Sequence, residues 1–160
     1  MTKQYRMVVG SDDAGLEYKT AIMSDLKGDP RVASVIDLGV SADAPRTLTY
    51  AEVAIRAGEL IRDGAVDRAI LFCGTGIGVA IAANKVDGIR ATVAHDSFSV
   101  ERSIRSNNCQ VLTIGQRVIG LQLARRLALE WLGYDFDAGS PSGGKIQIIT
   151  DYEISQAHRP

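Results

Sequence analysis

The chain has 160 residues, 46% hydrophobic and 23% charged, a length and balance that suit one globular domain with a proper core. The formal charge is −1 and no block of Lys or Arg stands out, so composition favours neither nucleic acid nor an anionic membrane surface as a partner. No apolar run approaches the ~20 residues of a membrane span. The opening MTKQYRMVVGSDD meets an acidic pair too early for a signal peptide, and two cysteines, Cys73 and Cys109, cannot frame a disulfide scaffold; a cytoplasmic location is expected.

In chain order, YRMVVGSDD predicts a short buried strand ending at Gly10 with an acidic turn after it. A helix is expected over residues 14–27, closed by Gly28-Asp29-Pro30. RVASVIDLG predicts a second strand and VSADAPRTLT a polar loop. Over residues 50–63, Val53, Ala57, Leu60 and Ile61 recur at the spacing of one helix face. DRAILFCG, IRATVAHD and CQVLTIG predict strands three, four and five, with helices near 79–85, 98–105 and 119–132. In the last of these, Leu123, Leu127 and Trp131 stack at four-residue intervals. AGSPSGG, residues 138–144, predicts a loop, and 145–157 a closing helix, although KIQIIT by itself favours a strand.

Apolar strands alternating with helices imply an α/β domain, a parallel sheet covered on both faces, with no linker dividing residues 1–160. Such folds bind ligands beyond the carboxyl ends of their strands. That rule directs attention to Ser11–Asp13, Cys73–Gly78, His95–Asp96 and Gly115–Arg117.

Cys73 ends strand three and leads into Gly74-Thr75-Gly76-Ile77-Gly78 and a helix. A buried cysteine is often only a small core hydrophobe. Here the glycines let main-chain N–H groups converge without Cβ atoms in the way, and the following helix start adds positive potential that favours an anion. A thiolate facing such donors suits a nucleophile, or a base beside an oxyanion hole. Named motifs fail. The dinucleotide fingerprint needs a third glycine where Val79 stands, and a cysteine-phosphatase cradle needs an arginine at that same position. No Gly-Lys-Ser/Thr follows. His95 and His158 are the only histidines and no ligand spacing clusters, so no metal is expected.

Asp12 and Asp13 close the first strand, either as a solvated pair or as groups orienting a polyol. They also resemble the acidic pocket of a phospho-accepting receiver domain, but that reading needs an aspartate and a lysine where Cys73 and Gly115 stand. Arg117 follows strand five, at what reads as a helix start, as a candidate phosphate clamp, and Lys145 can add charge from the glycine loop. Asn107 and Asn108 offer amides to hydroxyls, or simply make a turn. His95 is either a hydrogen-bonded structural histidine or a catalytic one. Cys109 reads as packing, and His158 as part of a fraying tail.

Taken together, CGTGIGVAIAANK, GIRA, SNNCQVLTIGQRVIG and the Trp131-Leu132 pair resemble the type B ribose-5-phosphate isomerase and galactose-6-phosphate isomerase family, over residues 7–152. The resemblance implies a three-layer α/β/α, Rossmann-like sandwich with five parallel strands. It also implies aldose–ketose isomerisation of a sugar phosphate through a cis-enediolate, without metal or other cofactor. Cys73 would move a proton between C1 and C2. Gly74, Gly76, Ile77 and Gly78 would form the anion loop, with Thr75 assisting at the hydroxyls. Asp12 matches the family's sugar-binding acid and Tyr50 its active-site tyrosine, while Asn107 and Arg117 match residues that reach the sugar and its phosphate. The family builds each site between two subunits, so a homodimer or dimer of dimers is implied.

The chain departs from the family at several points. Asp13 replaces a common histidine, and Thr49-Tyr50-Ala51 replaces an Asp-Tyr-Pro frame. The family's paired C-terminal arginines are reduced to Lys145, with Pro141 near the other place. Ser106 stands where ribose-5-phosphate enzymes carry a histidine credited with ring opening. A tetrose phosphorylated on O4 has no hydroxyl left to close a five-membered hemiacetal, so D-erythrulose 4-phosphate and D-erythrose 4-phosphate are the expected pair. Ribose 5-phosphate with ribulose 5-phosphate is the alternative, as is a sugar-phosphate-binding module without catalysis.

Overall fold

The computed structural model describes residues 3–41, 43 and 48–157. Strands and helices alternate as β1 (Tyr5–Ser11), α1 (Leu16–Lys27), β2 (Val32–Gly39), α2 (Tyr50–Arg62), β3 (Arg68–Cys73) and α3 (Ile77–Ala83), then β4 (Ala91–Val93), α4 (Ser97–Arg105), β5 (Val111–Gly115), α5 (Leu121–Trp131) and α6 (Pro141–Ala157). Every strand pair is parallel, in the order β2-β1-β3-β5-β4. Connections stepping one way along the sheet, through α1 and α4, lie on one face, and those stepping back, through α2 and α3, lie on the other. Right-handed crossovers require this arrangement.

The period of two in each strand divides the core. Met7, Val9, Ile70, Phe72, Leu112 and Ile114 face α1, α4 and α5, where Ile22, Leu26, Ile104, Leu127 and Trp131 meet them. Val8, Ala69, Leu71 and Val111 face α2 and α3, against Val53, Ala57, Val79 and Ala83. Each fully buried Leu, Ile or Phe contributes roughly 1.5–3 kcal/mol. The expected α/β/α sandwich with five parallel strands is therefore observed. No helix among the described residues is long and apolar enough to cross a membrane.

Several boundaries differ from expectation. β1 runs one residue further, to Ser11, and a short 3₁₀ turn, Asp13–Gly15, precedes α1. α3 starts at Ile77 rather than 79, because Gly76 adopts φ 80° and caps it. α5 buries Ala124, Leu127, Ala128 and Trp131 and leaves Leu123 exposed, so its core face lies beside the stripe that four-residue spacing suggested. α6 begins at Pro141, not 145: proline suits a first helical turn, where its missing N–H is not needed. The predicted loop 40–49 is described only at 40, 41, 43, 48 and 49, and His158 lies outside the described residues.

Two anchors set the loops above the sheet. Lys19 of α1, 1% exposed, donates through Nζ to Asp37 Oδ1 at 2.5 Å and to the Val40 carbonyl, while the Val40 amide donates to Ser11 O at 3.0 Å. The exit of β2 is thereby tied to the tip of β1. Thr49 caps α2 reciprocally: Glu52 N donates to Thr49 Oγ1 at 3.3 Å and Thr49 N to Glu52 Oε2 at 2.9 Å. Tyr50, the first residue of α2, is held by that box.

Candidate active site

The sheet register brings the tips of three strands level: Ser11 pairs with Phe72, and Cys73 with Gly115. The close approach relies on glycine. A Cβ on Gly15 would lie 2.6 Å from the Phe72 backbone, and one on Gly115 2.5 Å from that of Thr75. Gln116 N donates to Cys73 O and Arg117 N to Gly74 O, both at 3.0 Å, so the turn after β5 clamps the loop after β3. Arg117 lies in this turn, four residues before α5, rather than at the start of a helix.

Cys73 is 5% exposed, yet its sulfur is turned to the glycine loop and accepts the Gly76 N–H at 3.1 Å. Gly76 reaches this position in the left-handed region, where a Cβ would press on the Ile114 and Gly115 backbone at 3.0–3.2 Å. Its carbonyl accepts Thr113 Oγ1 at 2.8 Å. Thr75 is exposed beside the sulfur and its Oγ1 accepts the Ile77 amide at 3.3 Å. α3 is only seven residues long, so the positive potential here comes chiefly from the loop's own amides.

Beside this loop lies a cleft of about 450 Å³ lined by Asp12, Asp13, Ala14, Leu48, Tyr50 and Arg117. Arg117 reaches over Gly74, its Nη1 3.3 Å from where a Cβ would sit, and the Tyr50 ring covers Gly78 at 2.7–3.1 Å by the same measure. Asp12 Oδ1 is buried with no hydrogen-bond partner among the described residues. Burial pushes the Asp12 carboxyl above the ordinary aspartate range; the amides of Gly15 and Ala14 and the charge of Arg117 pull the other way, and Asp13 adds to the rise. A carboxyl so placed suits a hydroxyl partner.

Asp12, Asp13, Tyr50 and Arg117 thus line one cleft within a single chain, and Arg117 over Gly74 and Tyr50 over Gly78 join it to the loop that carries Cys73 and Thr75. Asn107 and Lys145 do not join them. Asn107 lies in a separate cleft at the β4 edge with Asn84, Arg90, Arg102 and Ile146; its Nδ2 donates to Arg102 O at 3.0 Å and its carbonyl accepts Arg90 Nε at 3.1 Å. Lys145 is exposed on α6. Asn108 has φ 48° and closes α4, its amide donating to Ile104 O at 2.9 Å, which is a turn role. Burial pushes the Cys109 thiol up to about 11, as befits packing. His95 Nε2 accepts the Gly115 amide at 2.8 Å. Sequence reasoning missed Gln116, whose Oε1 accepts the Tyr18 amide at 3.1 Å and so ties the turn to α1; an isolated glutamine after a strand gives no signal of this.

Comparison with known proteins agrees with this geometry. The family described as Ribose/Galactose Isomerase matches residues 7–149. A D-erythrulose-4-phosphate isomerase 2 of Mycolicibacterium smegmatis is 55% identical, over 92% of this chain and 97% of that protein. A D-erythrulose-4-phosphate isomerase of Pectobacterium atrosepticum is 37% identical, over 96% and 98%. The type B ribose 5-phosphate isomerase of Leishmania infantum superposes with a TM-score of 0.88 at 33% identity, covering 96% of this chain and 99% of that one. With the fold, the glycine loop and these relatives in agreement, the chain belongs to the ribose/galactose isomerase family of aldose–ketose sugar-phosphate isomerases.

Proposed function

We propose that the chain interconverts D-erythrulose 4-phosphate and D-erythrose 4-phosphate, with Cys73 as the base and no metal in the reaction. The observation that carries this reading is the Cys73 sulfur turned into the glycine loop, 3.1 Å from the Gly76 N–H, beside the Asp12–Tyr50–Arg117 cleft. The names of the two erythrulose-phosphate relatives and Ser106 at the ring-opening position support the tetrose.

Cys73 takes a proton from C1 of the ketose. The C1–H electron pair becomes the C1=C2 bond and the carbonyl oxygen on C2 becomes the enediolate oxygen. Returning that proton to C2, while the O1 proton is relayed through solvent or Thr75 Oγ1 to the C2 oxygen, leaves C1 as the aldehyde and C2 as a hydroxyl-bearing carbon, the aldose. The Gly76 and Ile77 amides are engaged by Cys73 and Thr75, so the enediolate oxygen is assigned to the amides of Gly74, Thr75 and Gly78. One preorganised donor of this kind is worth about 3–4 kcal/mol, and a positioned base about 10²–10⁴-fold. Asp12 orients a hydroxyl through its unpartnered Oδ1, and Arg117 takes the phosphate.

Asn107 enters the reaction from a second copy. α6 leaves Ile148, Ile149, Tyr152 and Ile154 exposed along one helix, an apolar surface that a partner subunit would cover. We assign the protein to the cytoplasm, where its two free cysteines stay reduced. A panel of four-, five- and six-carbon sugar phosphates, assayed with chelator present, tests the reading: the tetrose pair is expected to give the highest kcat/KM, undiminished by chelator. A higher kcat/KM on ribose 5-phosphate refutes the tetrose assignment.

A further inference from the structure

The carboxyl tip of β5 has one side-chain contact that the reaction outlined above leaves unused. Gly115 ends the strand opposite Cys73, and its amide, which points toward the end of β4, donates to His95 Nε2 at 2.8 Å. A nitrogen that accepts from an N–H carries no proton, so the imidazole is neutral with its proton on Nδ1. Gly115 is also a point of close approach between the β3 and β5 loops, 2.5 Å separating the Thr75 backbone from the place of a Gly115 Cβ. The next two amides, of Gln116 and Arg117, hold the Cys73 and Gly74 carbonyls. The chain of contacts from imidazole to thiol is therefore short: His95 to the Gly115 amide, Gly115 to the turn, and the turn to the backbone that aims the sulfur.

We propose that His95 is a positioning residue for the isomerase reaction, its Nε2 lone pair fixing the Gly115 amide and, through it, the turn that holds the Cys73 loop. The proposal rests on the reading of Cys73 as the base. Protonation of Nε2 sets an N–H against the Gly115 N–H and the link is lost, so the cradle loosens in acid. Burial holds the imidazole below the usual histidine range, which keeps the acceptor intact near neutral pH. The charged group acting against this is Asp96, the N-cap of α4, whose carboxylate is itself held low by the Ser99 amide at 2.7 Å. The neighbouring tips contribute Cys73 from β3 and Arg117 from the turn after β5. No other imidazole lies among the described residues, so the effect is assignable to one group.

The test uses the full chain, with kcat and KM measured from pH 5 to 9 and nitrogen-detected NMR of the imidazole and the Gly115 amide. Glutamine places an acceptor near Nε2 and cannot be protonated, while leucine has no acceptor. His95→Leu is expected to lower kcat about tenfold at pH 8 with KM nearly unchanged, since a buried N–H is left unpaired. His95→Gln is expected to recover most of that loss and to remove one protonation step from the acid limb of kcat. In the parent protein the Gly115 amide shift should follow the titration of Nε2. A Leu variant within twofold of the parent, an acid limb unchanged in the Gln variant, or a Gly115 shift indifferent to the imidazole each overturns the proposal. Should the Leu variant fail to fold, the Gln profile and the parent titration still decide. The NMR link does not depend on turnover, so a Cys73→Ala variant that stayed active would sink the base assignment while leaving the His95–Gly115 coupling to be judged separately.

Discussion

The Tyr50 ring lies against Gly78, so close that a Cβ at that position would sit 2.7 Å from Cε2 and 2.8 Å from Cδ2. The first turn of α3 therefore backs the ring that the first turn of α2 contributes to the cleft. Gly78→Ala must push the ring away, and a raised KM for sugar phosphate is expected, about tenfold, with a smaller loss in kcat. Steady-state kinetics checks this, and Tyr50→Ala made on top of Gly78→Ala should add little. Fully additive effects would mean that the two residues act apart.

Removing the sulfur tests the chemistry. Cys73→Ala should lower kcat by about 10²–10⁴-fold and leave inorganic phosphate binding close to that of the parent. Isothermal titration with phosphate beside a coupled activity assay measures both. Retention of most of the kcat would show that the proton is carried by another group.

Mixed assemblies test the shared site. In a two-fold dimer whose sites each combine Cys73 of one chain with Asn107 of the other, a Cys73→Ala chain and an Asn107→Ala chain rebuild one intact site between them. Equal amounts of the two inactive variants, unfolded and refolded together, should return about a quarter of parental activity, since half the dimers are mixed and each carries one good site of two. Activity that stays at the level of the separate variants would place both residues in the same subunit's site.

Stability should carry the imprint of the buried imidazole. His95 is held below the ordinary value of 6.5 in the folded chain, so between the folded and unfolded values the unfolded state binds more protons. Its contribution is present above about 6.5, and is lost as the pH falls from there through the folded value. Denaturant unfolding between pH 5 and 8 should show this slope in the parent, and His95→Gln should flatten it. A second step, below the ordinary carboxylate range, is expected from Asp29, which Arg31 holds low.

Much of this was legible in the residues. Strands buried on both faces announce themselves as unbroken apolar runs, and VVGS, AILFC and VLTIG became the three strands whose tips carry the site. The Cys73 loop was readable because close main-chain approach demands glycine, and Gly15, Gly76 and Gly115 all meet backbone where a Cβ would go. The placement of Leu123, by contrast, depends on which way α5 rolls against α1 and α4, a tertiary choice that spacing alone does not fix. The start of α6 was hidden because Ser-Gly-Gly after Pro141 reads as a loop, although proline at a first turn tolerates it. His95 was legible as a rim histidine, hydrogen-bonded or catalytic, but its partner was not: an acceptor for an amide 20 residues away leaves no mark on local sequence.

The strand order has a consequence for how the molecule comes into being. Among the described residues β4 pairs only with β5, and β5 sits between β4 and β3. A ribosome delivers β4 first, so during synthesis that strand has no neighbour and the flank of β3 stays bare until residues 111–115 emerge. The last strand acts as a keystone: it fills the gap, supplies the amides that fasten the thiol loop, and brings in Arg117. Distant pairings of this kind form late and slowly. Nascent chains that stop before residues 111–115 should therefore be both inert and sticky, since neither β3 nor β4 yet has β5 beside it.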